Sequence, residues 1–229
     1  MAASIFMIGD STMCDYEKDR TPRMGWGQAL KEHVPLSTPV YNHALSGRSS
    51  KSFIEEGHLG LIEKNLKVGD YLLIQFGHND QKEDSERFTS PFSSFQAYLN
   101  QYIDLASQQK AIPIMLTSIE RRSFNDAGEL LKTHGDYPKA MIELGRKRNV
   151  PVIDLTSLTR LWLEKFEVEE SKEMYMWVKP GEFPGYPDGE KDNTHLSEKG
   201  ANNIAEMVIN ELLVRKLMPA EMFVLSHNR

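Results

Sequence analysis

The stretch Ala3-Ser4-Ile5-Phe6-Met7-Ile8-Gly9-Asp10-Ser11-Thr12 decides how the rest of the chain is read. Its apolar run is rich in β-formers and is closed by glycine and aspartate, the pattern of a buried strand ending in a turn. A serine on such a turn has its hydroxyl at the carboxyl edge of a parallel sheet, where open α/β folds place their sites. Gly-Asp-Ser is also an ordinary way to leave a strand. Ser11 therefore counts as a nucleophile only if a base, an acid to orient it and donors for an oxyanion gather at the same edge.

The rest of the 229 residues repeats this alternation. Further strands are expected at Pro39 to Asn42, Tyr71 to Phe76, Ile112 to Thr117 and Pro151 to Asp154. Helical spacing of apolar residues marks Gly27 to Val34, Ser50 to Asn65, Phe92 to Gln109, Tyr137 to Arg148, Leu158 to Glu169 and Ser197 to Lys216. Strands alternating with helices predict βαβ units and a parallel sheet. Without a linker or an internal repeat, residues 1–229 read as a single domain. Met174 to Asp192, with Pro180, Pro184 and Pro187, is expected to be a long surface loop packed by Tyr175, Trp177, Phe183 and Tyr186.

Composition narrows the partners. A net charge of -6 with scattered Lys and Arg argues against nucleic acid, which needs a concentrated basic surface. No apolar segment approaches the roughly 20 residues of a membrane span, and no signal-like segment precedes the first strand, so a cytoplasmic protein is expected. The single cysteine, Cys14, rules out an internal disulfide or a cysteine-based zinc cluster and reads as a buried structural thiol. Neither a metal nor another cofactor is called for. A phosphate-binding G-x-x-x-x-G-K-[ST] loop is missing, which weakens a nucleotide-binding reading.

Three polar blocks supply what Ser11 needs. Asp192-Asn193-Thr194-His195 follows the Pro/Gly segment and is expected to form one short turn before the last helix. Two intervening residues let the carboxylate meet the imidazole Nδ1 while Nε2 faces Ser11. Gln75-Phe76-Gly77-His78-Asn79-Asp80 ends the third strand, and the Asn79 amide is a neutral donor able to hold an oxyanion. His78 and Asp80 there fit either acid-base work or the holding of a turn. Asn42-His43-Ala44-Leu45-Ser46-Gly47-Arg48-Ser49-Ser50 follows the second strand, where Gly47 brings a bare backbone N–H toward a ligand and Ser49 or Ser50 caps the next helix.

With these blocks in this order, the chain resembles the SGNH (GDSL-like) hydrolase family along nearly its whole length. G-R-S-S-K-S-F-I-E-E-G from Gly47, F-G-H-N-D-Q and Y-P-D-G-E-K-D-N-T-H-L-S-E-K-G-A are similar to the rhamnogalacturonan acetylesterase branch, as is Thr12 where lipolytic members carry leucine. The resemblance implies a three-layer α/β/α flavodoxin-like fold with a central five-stranded parallel sheet. It implies catalysis by Ser11, Asp192 and His195, and an oxyanion hole of Ser11, Gly47 and Asn79. The expected substrate is an acetylated pectic oligosaccharide, with another acetylated glycan or small ester as the alternative and an idle glycan-binding protein as the alternative of another class. Arg48 is the first candidate for a uronate carboxylate, ahead of Arg121, Arg122 and Lys179. His78, Trp177 and Tyr186 are candidate sugar contacts.

Overall fold

The computed structural model describes residues 3–224. Five strands, β1 (Ile5–Gly9), β2 (Val40–Asn42), β3 (Tyr71–Gln75), β4 (Ile112–Leu116) and β5 (Val152–Ile153), form one sheet in the order β2-β1-β3-β4-β5. Every pairing in it is parallel. The order reverses between β1 and β3, which leaves a crevice at their carboxyl ends.

Alternate side chains of the strands enter different cores. Ile5, Met7, Leu73 and Ile114 pack on one face with α1 (Trp26–Leu30), α6 (Leu155–Leu163) and α7 (Glu198–Val214). Phe6, Ile8, Leu72 and Ile74 pack on the other with α2 (Ser50–Glu55), α3 (Leu59–Asn65), α4 (Gln96–Gln108) and α5 (Tyr137–Arg148). A sheet covered on both faces explains why its strands read as unbroken apolar runs. This is the three-layer α/β/α fold that the resemblance implied.

Several boundaries differ from the expected ones. The helix expected from Ser50 to Asn65 is two helices, because Gly57 turns the chain with φ +83°. Only glycine adopts that backbone without strain. The helix expected from Gly27 ends at Leu30 and continues as a 3-10 turn, Lys31–His33. Before α4, Pro91–Phe95 forms a π-turn. The helix expected from Leu158 begins at Leu155, where the Asp154 carboxylate accepts the N–H of Ser157, and stops at Leu163.

The largest correction lies in residues 174–192. They are not all loop: β6 (Tyr175–Val178) and β7 (Glu190–Leu196) pair antiparallel, and the three prolines fall in the connection between them. Prolines there remove no ladder hydrogen bond, which reconciles them with a hairpin. Asp192 and His195 consequently sit on a strand rather than on a turn before the last helix. That helix, α7, starts at the expected place, with the Ser197 hydroxyl accepting the Gly200 N–H at 3.2 Å.

Candidate active site

Ser11 follows β1 on a turn that its neighbours fix. The Asp10 carbonyl accepts the N–H groups of Met13 and Cys14, each at 3.1 Å, and the Asp10 carboxylate accepts the Thr12 N–H and hydroxyl at 2.9 Å. The Tyr16 hydroxyl donates to the Ser11 carbonyl at 2.9 Å. Beneath the turn, the Trp26 indole donates to Gln75 and the Gln75 amide donates to Thr12, both at 2.6 Å. Cys14 is buried, and burial pushes its thiol up to about 12.

The β6–β7 hairpin delivers the base. Tyr175 pairs with Leu196 and the next residue, Met176, with Asp192, so Asn193, Thr194 and His195 bulge out of the ladder. A bulge re-aims side chains that a regular strand would alternate between faces. Asp192 Oδ1 accepts the N–H groups of Thr194 at 2.7 Å and His195 at 3.0 Å, while Oδ2 lies 2.5 Å from His195 Nδ1. His195 Nε2 lies 2.9 Å from Ser11 Oγ. Burial works to raise the Asp192 carboxyl, but the His195 ring and these N–H groups outweigh it and hold the acid well below the usual carboxylate range. Arg23, 3.5 Å from Asp192 and 3.2 Å from Glu190, adds a cation. The order is hydroxyl, imidazole, carboxylate, with the carboxylate ionised: an arrangement that activates an oxygen nucleophile.

The donors come from the neighbouring strand ends. The Ala44-Leu45 loop after β2 is tied to β1 by the Leu45 N–H on the Gly9 carbonyl, at 3.0 Å. Gly47 then turns with φ +80°, and open space surrounds the position of a side chain there. Asn79 Nδ2 donates to the Arg48 carbonyl at 3.0 Å, which joins the β3 loop to the Gly47 turn and leaves the second amide hydrogen for a ligand. Among the described residues, the N–H groups of Ser11 and Gly47 have no backbone acceptor.

A cavity of about 460 Å³ is lined by Ser11, His78, Asn79, Gln81, Lys82, Arg121, Asp192, Thr194 and His195. A second cavity of about 500 Å³ is lined by Thr133, His134 and Glu120, but there the Thr133 hydroxyl and His134 Nδ1 both meet the same Glu120 oxygen at 3.2 Å, so no imidazole stands between hydroxyl and carboxylate, and chemistry rather than size selects the first. Among the described residues no group of three His, Cys, Asp or Glu side chains is placed to hold a metal ion.

Not every residue singled out in the sequence reaches this cavity. The Arg48 guanidinium turns to Glu56, with Nε at 2.9 Å and Nη2 at 2.8 Å, and to the Ser46 carbonyl. What it presents to the site is its carbonyl. Trp177 donates to Asn193 at 2.8 Å and has the Arg122 and Lys172 cations within 5.0 and 4.4 Å of its ring, so it braces β7. Tyr186 is 5% exposed and its hydroxyl donates to the Arg20 carbonyl, which makes it an anchor of the hairpin connection. Asp80 is buried against Ser50 and Thr89 and ties the β3 loop to α2. Arg122 holds Ser171 and Asn193. His78 and Arg121 do line the cavity. Gln75, Arg23 and Trp26 escaped the sequence reading, since their contacts join residues far apart in the chain.

A family model described as GDSL-like lipase/acylhydrolase matches residues 5–208. The chain belongs to the GDSL-like lipase/acylhydrolase family. Among curated proteins, it is 46% identical to the rhamnogalacturonan acetylesterase RhgT of Bacillus subtilis over 204 residues, 89% of this chain and 87% of that protein. It is 37% identical to the probable rhamnogalacturonan acetylesterase YesY of the same organism, covering 91% of each. A crystal structure of protein YxiM from Bacillus subtilis superposes with a TM-score of 0.80 at 25% identity, over 95% of this chain and 58% of that longer one. Among the described residues of this GDSL-family chain, no helix is long and apolar enough to cross a membrane.

Proposed function

We propose that this protein is a serine esterase that releases acetate from acetylated pectic oligosaccharides of the rhamnogalacturonan type. The observation that carries the reaction is the line Ser11 Oγ, His195 Nε2, His195 Nδ1, Asp192 Oδ2, with contacts of 2.9 and 2.5 Å at its two ends. The identity to rhamnogalacturonan acetylesterases supports the substrate class.

In this reading His195 Nε2 takes the Ser11 proton as Oγ attacks the acetyl carbonyl. Asp192 stabilises the imidazolium that forms and holds its tautomer. The carbonyl oxygen becomes an oxyanion, met by the N–H groups of Ser11 and Gly47 and by the Asn79 amide. His195 returns the proton to the departing sugar oxygen, leaving acetyl on Ser11. Water then attacks that ester with His195 again as base, and acetate leaves.

Acetate release from acetylated rhamnogalacturonan oligosaccharides, measured beside acetylated xylan oligosaccharides and an aryl acetate, tests the reading. Turnover should be fastest on the pectic substrate and absent in Ser11→Ala. Preference for xylan would move the substrate assignment to another glycan. Binding of glycan without hydrolysis of any ester would leave a binding protein.

A further inference from the structure

From the wall of the candidate catalytic cavity inward run three buried ionisable groups that the proposed reaction does not use. Glu120 follows β4, His134 precedes α5 and His78 precedes Asn79; they are 1%, 2% and 3% exposed. Glu120 Oε1 lies 3.2 Å from His134 Nδ1, and His134 Nε2 lies 3.3 Å from His78 Nδ1. The second Glu120 oxygen accepts from Arg160 at 3.1 Å.

These contacts dictate where the protons sit. Burial works to raise the Glu120 carboxyl, but the His134 hydrogen bond and the nearby cations hold it below its usual value, so it is an anion that only accepts. Burial pushes both imidazoles down, His78 far below the ordinary value, so each is neutral with a single N–H. His134 therefore donates from Nδ1 to Glu120 and bares an Nε2 lone pair. His78 donates from Nδ1 to that lone pair and bares its own Nε2. Among the described residues the His78 Nε2 is buried without a hydrogen-bond partner, while the residue lines the cavity that holds Ser11 and His195. A buried acceptor with no donor is unfavourable unless a ligand supplies one.

We propose that His78 sets specificity: its Nε2 lone pair, fixed by Glu120 and His134, accepts a hydrogen bond from a free hydroxyl on the sugar carbon beside the acetylated one. The inference rests on the ester-hydrolase reading above. An acetylated sugar carries such a hydroxyl within one carbon of the ester, and a simple alkyl or aryl acetate does not. An acceptor that cannot donate rewards an O–H and leaves itself unpaired against an analogue lacking it. Glu120 and His134 are positioning residues, since they act only through the His78 tautomer.

The test compares kcat/KM of the full chain on a methyl glycoside monoacetate with a free neighbouring hydroxyl and on its matched deoxy analogue. The parent protein should favour the hydroxylated substrate by about 10- to 100-fold. His78→Phe should bring that ratio to about one. His134→Leu should lower it, whereas His134→Gln, whose amide N–H donates to Glu120 and whose carbonyl accepts from His78, should restore it. Nitrogen-15 NMR should find His78 Nε2 without a proton. No preference in the parent, a proton on Nε2, or an unchanged ratio in His78→Phe would overturn the proposal, and the first two need no variant to fold. Turnover of an aryl acetate without preference for the hydroxyl defeats this inference alone; no turnover of any ester defeats the hydrolase reading with it.

Discussion

At the residue scale, the site depends on few atoms, and Asn79 is the one whose role separates most cleanly from the rest. Its amide is held by the Arg48 carbonyl at 3.0 Å and Asn79 is 8% exposed, so in the proposed oxyanion hole it is preorganised for charge that appears only in the transition state. Loss of one oxyanion donor typically costs about 2.7–4 kcal/mol, so Asn79→Ala should lower kcat by roughly 10² to 10³ with KM little changed. A steady-state loss below about threefold would remove Asn79 from the oxyanion hole. The proposed site residues Ser11, His195, Asp192, Gly47 and Asn79 stand out in the sequence because each lies in a short polar block at a strand end or just before the last helix. His134 does not. Leu131-Lys132-Thr133-His134-Gly135 carries no periodic signal, and its contact with His78 spans 56 residues. Arg48 misled for the opposite reason: its place beside Gly47 is informative, but a long guanidinium arm can turn away, and here it turns to Glu56.

At the scale of elements, the central strands and α5 were readable because burial on both sides, or an unbroken apolar stripe, leaves a strong pattern. The β6–β7 hairpin was hidden. Glu190-Lys191-Asp192-Asn193-Thr194-His195-Leu196 reads as polar up to Leu196, the one residue of the strand that enters the core, and its bulge breaks the period of two. The break between α2 and α3 was overlooked because Leu59 and Ile62 keep up the apolar spacing across Gly57. That glycine carries its own prediction. Gly57→Ala forces a Cβ into a left-handed backbone with nothing within 4 Å to clash, so the effect is purely conformational. It should destabilise by about 1 kcal/mol, a fall in Tm of roughly 2–4 °C. Differential scanning calorimetry showing no fall would mean that the α2–α3 corner relaxes to another turn.

At the scale of the whole molecule, buried carboxyls shape how stability follows pH. Burial raises Asp10 and Asp80 to about 6 from 3.8, against the hydrogen bonds of Thr12 to the one and of Ser50 and Thr89 to the other. A group that holds its proton more tightly when folded stabilises below its unfolded value, and that contribution declines as pH rises from about 4 to 6. Asp192 works in the other direction: its contribution is present above about 4 and is lost as pH falls further. Asp80→Asn should therefore show a smaller drop in Tm between pH 4 and 6 than the parent; an unchanged slope in thermal melts would exclude Asp80 as a titrating group. Finally, the proposed acid and base share one bulged strand, whereas the proposed nucleophile sits on the turn after β1 of the central sheet, 184 residues before His195. Asp192 and His195 cannot disengage separately. Opening of the hairpin would withdraw both from Ser11 together, so on heating, esterase activity should fall below the calorimetric transition of the sheet and return on cooling; activity lost only with the main transition would exclude this.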